Sequence, residues 1–222
     1  MKTYDTVIFD LDGTLLNTLD DLTDSVNYAM EKYGYPVHTL EEVRHFVGNG
    51  LKKLIERALP DDVEPEQFQR VFDDFCAYYG ENCAKKTCPY EGIPELLDTL
   101  RAQGIKLAIV SNKGDFAVQQ LRDLYFPGKI EVAIGEKAGI RRKPAPDTVF
   151  EAMRRLGSDS AHSIYVGDSD VDIETAKNAG LDCISVTWGF RDRAFLGEHG
   201  AQYYVDAPED ILTFLEIQKT GE

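Results

Sequence analysis

Short apolar runs that stop at polar residues, each followed by helical periodicity, restrict the fold of this chain more than any other feature. Val7-Ile8-Phe9 runs into Asp10-Leu11-Asp12-Gly13-Thr14, and Leu107-Ala108-Ile109-Val110 into Ser111-Asn112-Lys113. A third run, Ser163-Ile164-Tyr165-Val166, leads to Gly167-Asp168-Ser169-Asp170-Val171-Asp172. Runs this short, alternating with helices, predict βαβ units and a parallel sheet. In an open sheet of that kind ligands sit outside the carboxyl ends of the strands, so Asp10, Ser111 and Asp168 are expected to share one crevice.

Asp10, Asp12, Asp168 and Asp172 would be crowded there, and carboxylates at close range stay ionised together only with a compensating cation. Oxygen donors with no His or Cys nearby suit a hard divalent ion, and a site that leaves room for water and phosphate suits Mg²⁺ better than Ca²⁺. Lys143, within Arg141-Arg142-Lys143-Pro144-Ala145-Pro146-Asp147, adds a compact positive charge just before a helix that Pro144 or Pro146 could open. The chemistry implied is a cradle for phosphate.

In order, Asp10-Leu11-Asp12-Gly13-Thr14, Ser111-Asn112, Lys143 and Gly167-Asp168-Ser169-Asp170-Val171-Asp172 resemble the four motifs of the haloacid dehalogenase-like hydrolases. Val47-Gly48-Asn49-Gly50-Leu51-Lys52-Lys53-Leu54-Ile55-Glu56-Arg57-Ala58-Leu59 is similar to a cap segment of bacterial phosphoglycolate phosphatases. The resemblance implies a two-step phosphoryl transfer in which Asp10 is the nucleophile and Asp12 the general acid and then base. It implies that Mg²⁺ takes a carboxylate oxygen of Asp10, the backbone carbonyl of Asp12 and the carboxylate of Asp168. Asp172 would support the metal's waters or pair with the lysine, and Thr14 would stand beside it in support. The Ser111 hydroxyl and Asn112 backbone N–H would bind the phosphoryl oxygens, with Lys143 offsetting charge. The implied enzyme is a phosphatase acting on a small organic phosphate monoester, 2-phosphoglycolate first, with pyrophosphate, nucleoside monophosphates and phosphorylated sugars open. A sugar-phosphate mutase shares every core motif and differs only in its cap. A receiver-like phospho-accepting switch shares the acidic pocket, but has no place for Asp12 or for a long helical insertion.

Roughly 80 to 90 residues without a strand pattern follow the first strand, too many for an ordinary crossover. The expected architecture is therefore α/β: a Rossmann-like parallel core from residues 1–16 and 87–222, with an all-helical cap domain, 17–86, inserted after the first strand. In the insertion, Leu22, Val26, Met30 and Tyr33 predict a helix from Leu19 that ends near Gly34 and Pro36. Shorter helices are expected over 39–47 and 50–59, and Phe68, Val71, Phe72, Phe75 and Tyr79 line one face of another, expected as bundle core rather than a cofactor box, that Gly80 should halt. Gly48-Asn49-Gly50 is either a plain helix–helix turn or a loop facing the crevice, with backbone N–H groups for an anionic substrate tail. Lys52 is the nearby candidate to read a carboxylate.

Later elements are a helix through Leu96, Leu97 and Leu100, a helix from about Asp115, a strand over 131–134 and helices over 147–156 and 170–179. A strand over 183–187 runs into Trp188-Gly189-Phe190 at the ligand end, before a short edge strand at 203–205 and a terminal helix bearing Ile211, Leu212 and Leu215.

A formal net charge of −15 argues against nucleic acid, whose binding rests on a basic surface. Against that background Lys52-Lys53, Lys113 and Arg141-Arg142-Lys143 stand out. No apolar stretch approaches the ~18 residues needed to span a bilayer, and Met1-Lys2-Thr3-Tyr4-Asp5 leads into a strand without a signal-peptide pattern, so a cytoplasmic protein without membrane partners is expected. The four cysteines, with no Cys-x-x-Cys pair, are expected as reduced thiols. The four histidines show no metal-ligand spacing. The partner implied is a small phosphate ester, and the sequence leaves monomer and homodimer open.

Overall fold

The computed structural model describes residues 3–216. They form two compact units, residues 3–16 with 89–216, and Asn17–Cys88.

The first unit is built on a six-stranded sheet. In chain order the strands are β1 (Thr6–Phe9), β2 (Leu16–Asn17), β3 (Cys88–Pro89), β4 (Lys106–Gly114), β5 (Val132–Glu136), β6 (Ser163–Gly167), β7 (Asp182–Val186) and β8 (Tyr203–Val205). β2 and β3 form a separate two-stranded ladder, and the main sheet has the order β5-β4-β1-β6-β7-β8 with every pair parallel. The expected parallel α/β sheet is thus present. β1 and β6 are buried along their whole length, as unbroken apolar runs must be when both faces of a parallel sheet are covered. On one face Ile8, Ala108, Val110, Ile134 and Tyr165 pack with Val149, Ala152 and Met153 of a helix over Asp147–Leu156, and with Ala176 and Ala179 of a helix over Asp170–Ala179.

Register is what positions the site. Phe9 lies opposite Ile109 on one side and Val166 on the other, so the chain emerges from the three central strands side by side. β4 runs further than its apolar run predicts, through Gly114, with a register shift against β5 between Val110 and Gly114. Gly135 permits this, because a Cβ there would lie 2.5 Å from the Asp115 Cα. The same approach lets Asp115 accept the Gly135 N–H at 2.8 Å, and carries β5 to Glu136 rather than ending it at 134. A short helix over Arg193–Glu198 has no periodic signal in the sequence; the Asp192 carboxylate starts it by accepting the Phe195 N–H at 2.8 Å.

The second unit contains the helices α1 (Leu19–Lys32), α2 (Leu40–Phe46), α3 (Gly50–Ala58) and α4 (Pro65–Asn82). Leu22, Val26 and Met30 are buried on α1, which packs on α4, and a Thr39–Glu42 capping box opens α2. Two expectations fail on α4. The helix passes through Gly80, since buried Tyr79 and Asn82 hold the last turn and the Asn82 amide donates to the Tyr78 carbonyl at 2.6 Å. That packing outweighs the ~1 kcal/mol penalty of a mid-helix glycine. The aromatic stripe also divides: Val71, Phe75 and Tyr79 are buried, while Phe68 and Phe72 are half-buried and stack on each other at 6.0 Å. The unit's end is tied to its start, because buried Asp21 accepts the backbone N–H groups of Lys86 and Thr87.

All four cysteines are free thiols. Among the described residues no helix is long and apolar enough to cross a membrane.

Candidate active site

Asp10 follows β1 directly, and its backbone N–H continues the ladder to the Val166 carbonyl at 2.9 Å. Its Oδ1 accepts from the Leu11 N–H at 2.7 Å and pairs with the Lys143 ammonium at 3.0 Å, while no described residue donates to Oδ2. Asp168 follows β6, where Oδ2 accepts the Phe190 N–H at 2.7 Å and Oδ1 the Thr14 hydroxyl at 3.2 Å. Asp172 lies in the first turn of the next helix, and Ser169 opens that turn with a capping box. Asp172 Oδ1 accepts from Lys143 at 2.7 Å and Tyr165 at 3.1 Å, and Oδ2 from the Ser169 hydroxyl at 2.6 Å and two backbone N–H groups. Carboxylate oxygens of Asp10, Asp168 and Asp172 lie within 4.8 Å of one another, and all three residues are buried.

Lys143 is fixed from both ends. The Asn112 side chain accepts the Lys143 N–H at 2.9 Å and donates to its carbonyl at 3.0 Å, so the amide grips the lysine backbone in a reciprocal pair. The ammonium, 2% exposed, bridges Asp10 and Asp172 and donates to the Tyr165 hydroxyl at 3.1 Å. Ser111 sits on β4 beside β1, and its hydroxyl accepts the Lys113 N–H at 3.2 Å. Lys113 turns back to Asp12, with Nζ 2.7 Å from Oδ1.

Four carboxylates thus face two ammonium groups in a largely dry site. Burial pushes the Asp10 carboxyl well above the ordinary carboxylate range; Lys143 opposes this, and Asp172 and Asp168 add to it. Burial, reinforced by Asp172, raises Asp168 to about 7 against the pull of the Phe190 N–H. Burial disfavours the Lys143 charge, but Asp10 and Asp172 outweigh it and hold the ammonium charged above its usual range. The surplus negative charge and the all-oxygen donor set fit a hard divalent cation. Asp172 is the least available donor, since both its oxygens already accept two or more hydrogen bonds.

Close approach is built in by glycine. Gly13, at φ 80°, and Gly189 both stand where a Cβ would overlap the Asp168 side chain, and a Cβ on Gly167 would overlap Asp172. The strand pattern put Trp188-Gly189-Phe190 at the ligand end without a role, and Gly189 and Phe190 wall the site beside Asp168; nothing in the motifs pointed to Tyr165 as a partner of Asp172 or to the Lys113–Asp12 pair. For Lys113 a signal existed: it is two residues beyond Ser111 on one strand and so on the same face.

Gly48, Asn49, Gly50 and Lys52 belong to the helical unit. Gly48 and Gly50 have φ of 129° and 80°, and Asn49, the residue before α3, spends its side-chain oxygen on Arg57 at 2.6 Å. Lys52 is exposed, with its ammonium 5.8 Å from the centre of the Phe68 ring.

The sequence pattern that defines haloacid dehalogenase-like hydrolases matches residues 7–186. The chain belongs to this family. This hydrolase is 34% identical over 224 residues to the phosphoglycolate phosphatase of Pseudomonas putida, covering 97% of this chain and 78% of that protein. To the phosphoglycolate phosphatase of Nitrosococcus oceani it is 30% identical over 224 residues, covering 98% and 96%. A crystal structure from Lactobacillus delbrueckii subsp. bulgaricus, provisionally named a phosphoglycolate phosphatase, superimposes on the hydrolase with a TM-score of 0.93 at 40% identity, covering 96% of this chain and 98% of that one.

Proposed function

We propose that this hydrolase is a Mg²⁺-dependent phosphatase that cleaves a small organic phosphate monoester, 2-phosphoglycolate foremost, through an aspartyl-phosphate intermediate. The observation that carries the reading is Asp10, whose Oδ1 is held by Leu11 and Lys143 while Oδ2 accepts no hydrogen bond from the described residues. A carboxylate tethered by one oxygen has the other oriented for attack. The named relatives support phosphate esters as the substrates.

Asp10, Asp168 and the Asp12 backbone carbonyl would hold Mg²⁺, which when bound supplies the positive charge that screens phosphoryl oxygens from the attacking carboxylate. Asp10 Oδ2 forms the bond to phosphorus as the bond to the leaving alkoxide breaks, and Asp12 gives that oxygen its proton. Water then attacks phosphorus and Asp12 takes its proton, so that the Asp10–phosphorus bond breaks and inorganic phosphate leaves. The Ser111 hydroxyl and Asn112 backbone N–H bind the phosphoryl oxygens, and Lys143 balances the charge on Asp10. Asp172 holds the Lys143 ammonium in place, and the Thr14 hydroxyl orients the Asp168 carboxylate. The helical unit serves as the cap, with Gly48-Asn49-Gly50 and Lys52 reading the carboxylate end of the substrate.

Phosphate release from a panel of esters, with Mg²⁺ and with EDTA, tests this reading. We expect the highest kcat/KM with 2-phosphoglycolate and loss of turnover in EDTA. Absence of release from every ester in Mg²⁺ would refute it, and isomerised sugar phosphate without free phosphate would mark a mutase instead.

A further inference from the structure

Lys113 is a buried ammonium in the sheet unit for which the mechanism above has no use. Its side chain is 1% exposed, against 16% for Asp12, and the two lie 2.7 Å apart. Burying a lysine is unfavourable unless its charge is matched, so this contact is built rather than incidental. It also links two elements: Lys113 is on β4, its backbone N–H donates to the Ser111 hydroxyl, and its ammonium reaches across to the loop after β1. One residue therefore ties the proposed phosphoryl-binding hydroxyl to the proposed proton donor.

We infer that Lys113 is a positioning residue that holds the Asp12 carboxyl group on the leaving-group side, so that cleavage of poor leaving groups depends on a lysine outside the four motifs. The inference rests on the phosphatase reading and on Asp12 as its acid. With Oδ1 held by the ammonium, Oδ2 is the oxygen that handles the proton. When Asp12 protonates the departing alkoxide it is left as a carboxylate, and the ammonium is its counter-charge. Without Lys113 the carboxylate is free to rotate, and the charge it gains has no partner on that side.

Leaving groups separate this role from a merely structural one. An alkoxide requires a proton as it departs, whereas acetate from acetyl phosphate or a nitrophenolate leaves without one. The ratio kcat/KM reports only steps through the first irreversible one, here loss of the leaving group, so the later role of Asp12 in water attack does not enter.

The experiment compares the Mg²⁺-loaded wild type with Lys113→Met, Lys113→Gln and Lys113→Arg. Each is assayed for kcat/KM on a series of monoesters running from ethyl phosphate and 2-phosphoglycolate through phenyl phosphate to 4-nitrophenyl and acetyl phosphate. We expect Lys113→Met and Lys113→Gln to lose about 10²-fold on the alkyl esters, the scale of positioned general-acid catalysis, and severalfold at most on the activated substrates. The plot of log kcat/KM against leaving-group pKa should steepen. Lys113→Arg, which keeps a charged donor, should restore most of the alkyl activity. Equal losses on all substrates, or none on the alkyl esters, would overturn the inference while leaving the phosphatase reading intact. A wild type that releases phosphate from no ester would overturn both. If Lys113→Met fails to fold, the Gln and Arg variants decide the outcome.

Discussion

The sheet unit and the helical unit treat buried charge in opposite ways. At the carboxyl ends of the central strands Asp10, Lys113, Lys143, Asp168 and Asp172 are all buried and answer mainly to one another. In the helical unit the buried acid is Asp21, and its oxygens are taken up by backbone N–H groups at the end of that unit. A buried carboxylate matched by amides completes a fold, whereas carboxylates crowded against each other are held in an unfavourable state that favours cation binding and chemistry. Substitutions in the two units should therefore separate activity from stability.

Asp10→Asn gives the largest expected effect. Phosphate release should fall by at least about 10⁴-fold, the scale seen when a covalent nucleophile is removed. The metal-free variant should melt no lower than the wild type, because a charge that burial disfavours has gone. A variant that turns over normally, or that unfolds on losing the carboxylate, would erase the contrast between the units. Phe75→Ala is its converse. Phe75 is fully buried on α4 and its ring stacks on Tyr79 at 5.7 Å. Its truncation should reduce stability by about 3–5 kcal/mol in denaturant titrations while leaving Mg²⁺ affinity of the folded protein nearly unchanged.

The same contrast explains what the sequence disclosed. Asp10, Ser111 and Asp168 were legible because an apolar run ending in a polar residue locates a strand's carboxyl end, and a parallel sheet gathers such ends. Strand order is a long-range property. Gly189 and Phe190 come beside Asp168 only because β7 pairs with β6, and Lys113 meets Asp12 only because β4 pairs with β1. No local pattern states those pairings. In the helical unit periodicity revealed α1 through Leu22, Val26 and Met30, yet it credited Phe68 and Phe72 with a core burial that they have only in part. A stripe of aromatics records which face is apolar, not how far a neighbouring helix extends over it. Gly80 misled for a related reason: a local breaker was overridden by the packing of Tyr79 and Asn82.

Proton linkage sharpens the comparison on the sheet side. Asp168 binds its proton more tightly in the fold, at about 7, than at its ordinary value of 3.8. Its contribution to stability is therefore fully present below the ordinary value and is lost as pH rises through about 7. In EDTA the wild type should lose on the order of a few kcal/mol between about pH 4 and 7, read by urea denaturation at successive pH values. Asp168→Asn should remove its own share of that slope and leave the share of Asp10, whose carboxyl burial also raises, and saturating Mg²⁺ should oppose both by binding the folded state. Stability that is flat or rising over this window in EDTA would mean that the cluster's charge is already compensated.

The smallest expected effect lies in the helical unit, at Lys52. Its ammonium, 5.8 Å from the Phe68 ring centre, makes an exposed cation–π contact of a kind worth about 0.5–1 kcal/mol. Lys52→Gln should therefore reduce stability by no more than about 1 kcal/mol. If the lysine serves only the helix surface, KM stays unchanged for every ester. As a reader of the substrate's carboxylate, it should instead raise KM for 2-phosphoglycolate by roughly five- to tenfold on removal, the equivalent of one exposed charged contact, and leave KM for ethyl phosphate where it was. Parallel KM measurements on those two esters decide between the outcomes, because the substrates share a phosphate and differ in the carboxylate. A selective rise would make the helical unit more than a packed bundle, and would narrow the contrast between the two units to the sheet doing the chemistry and the helices choosing what reaches it.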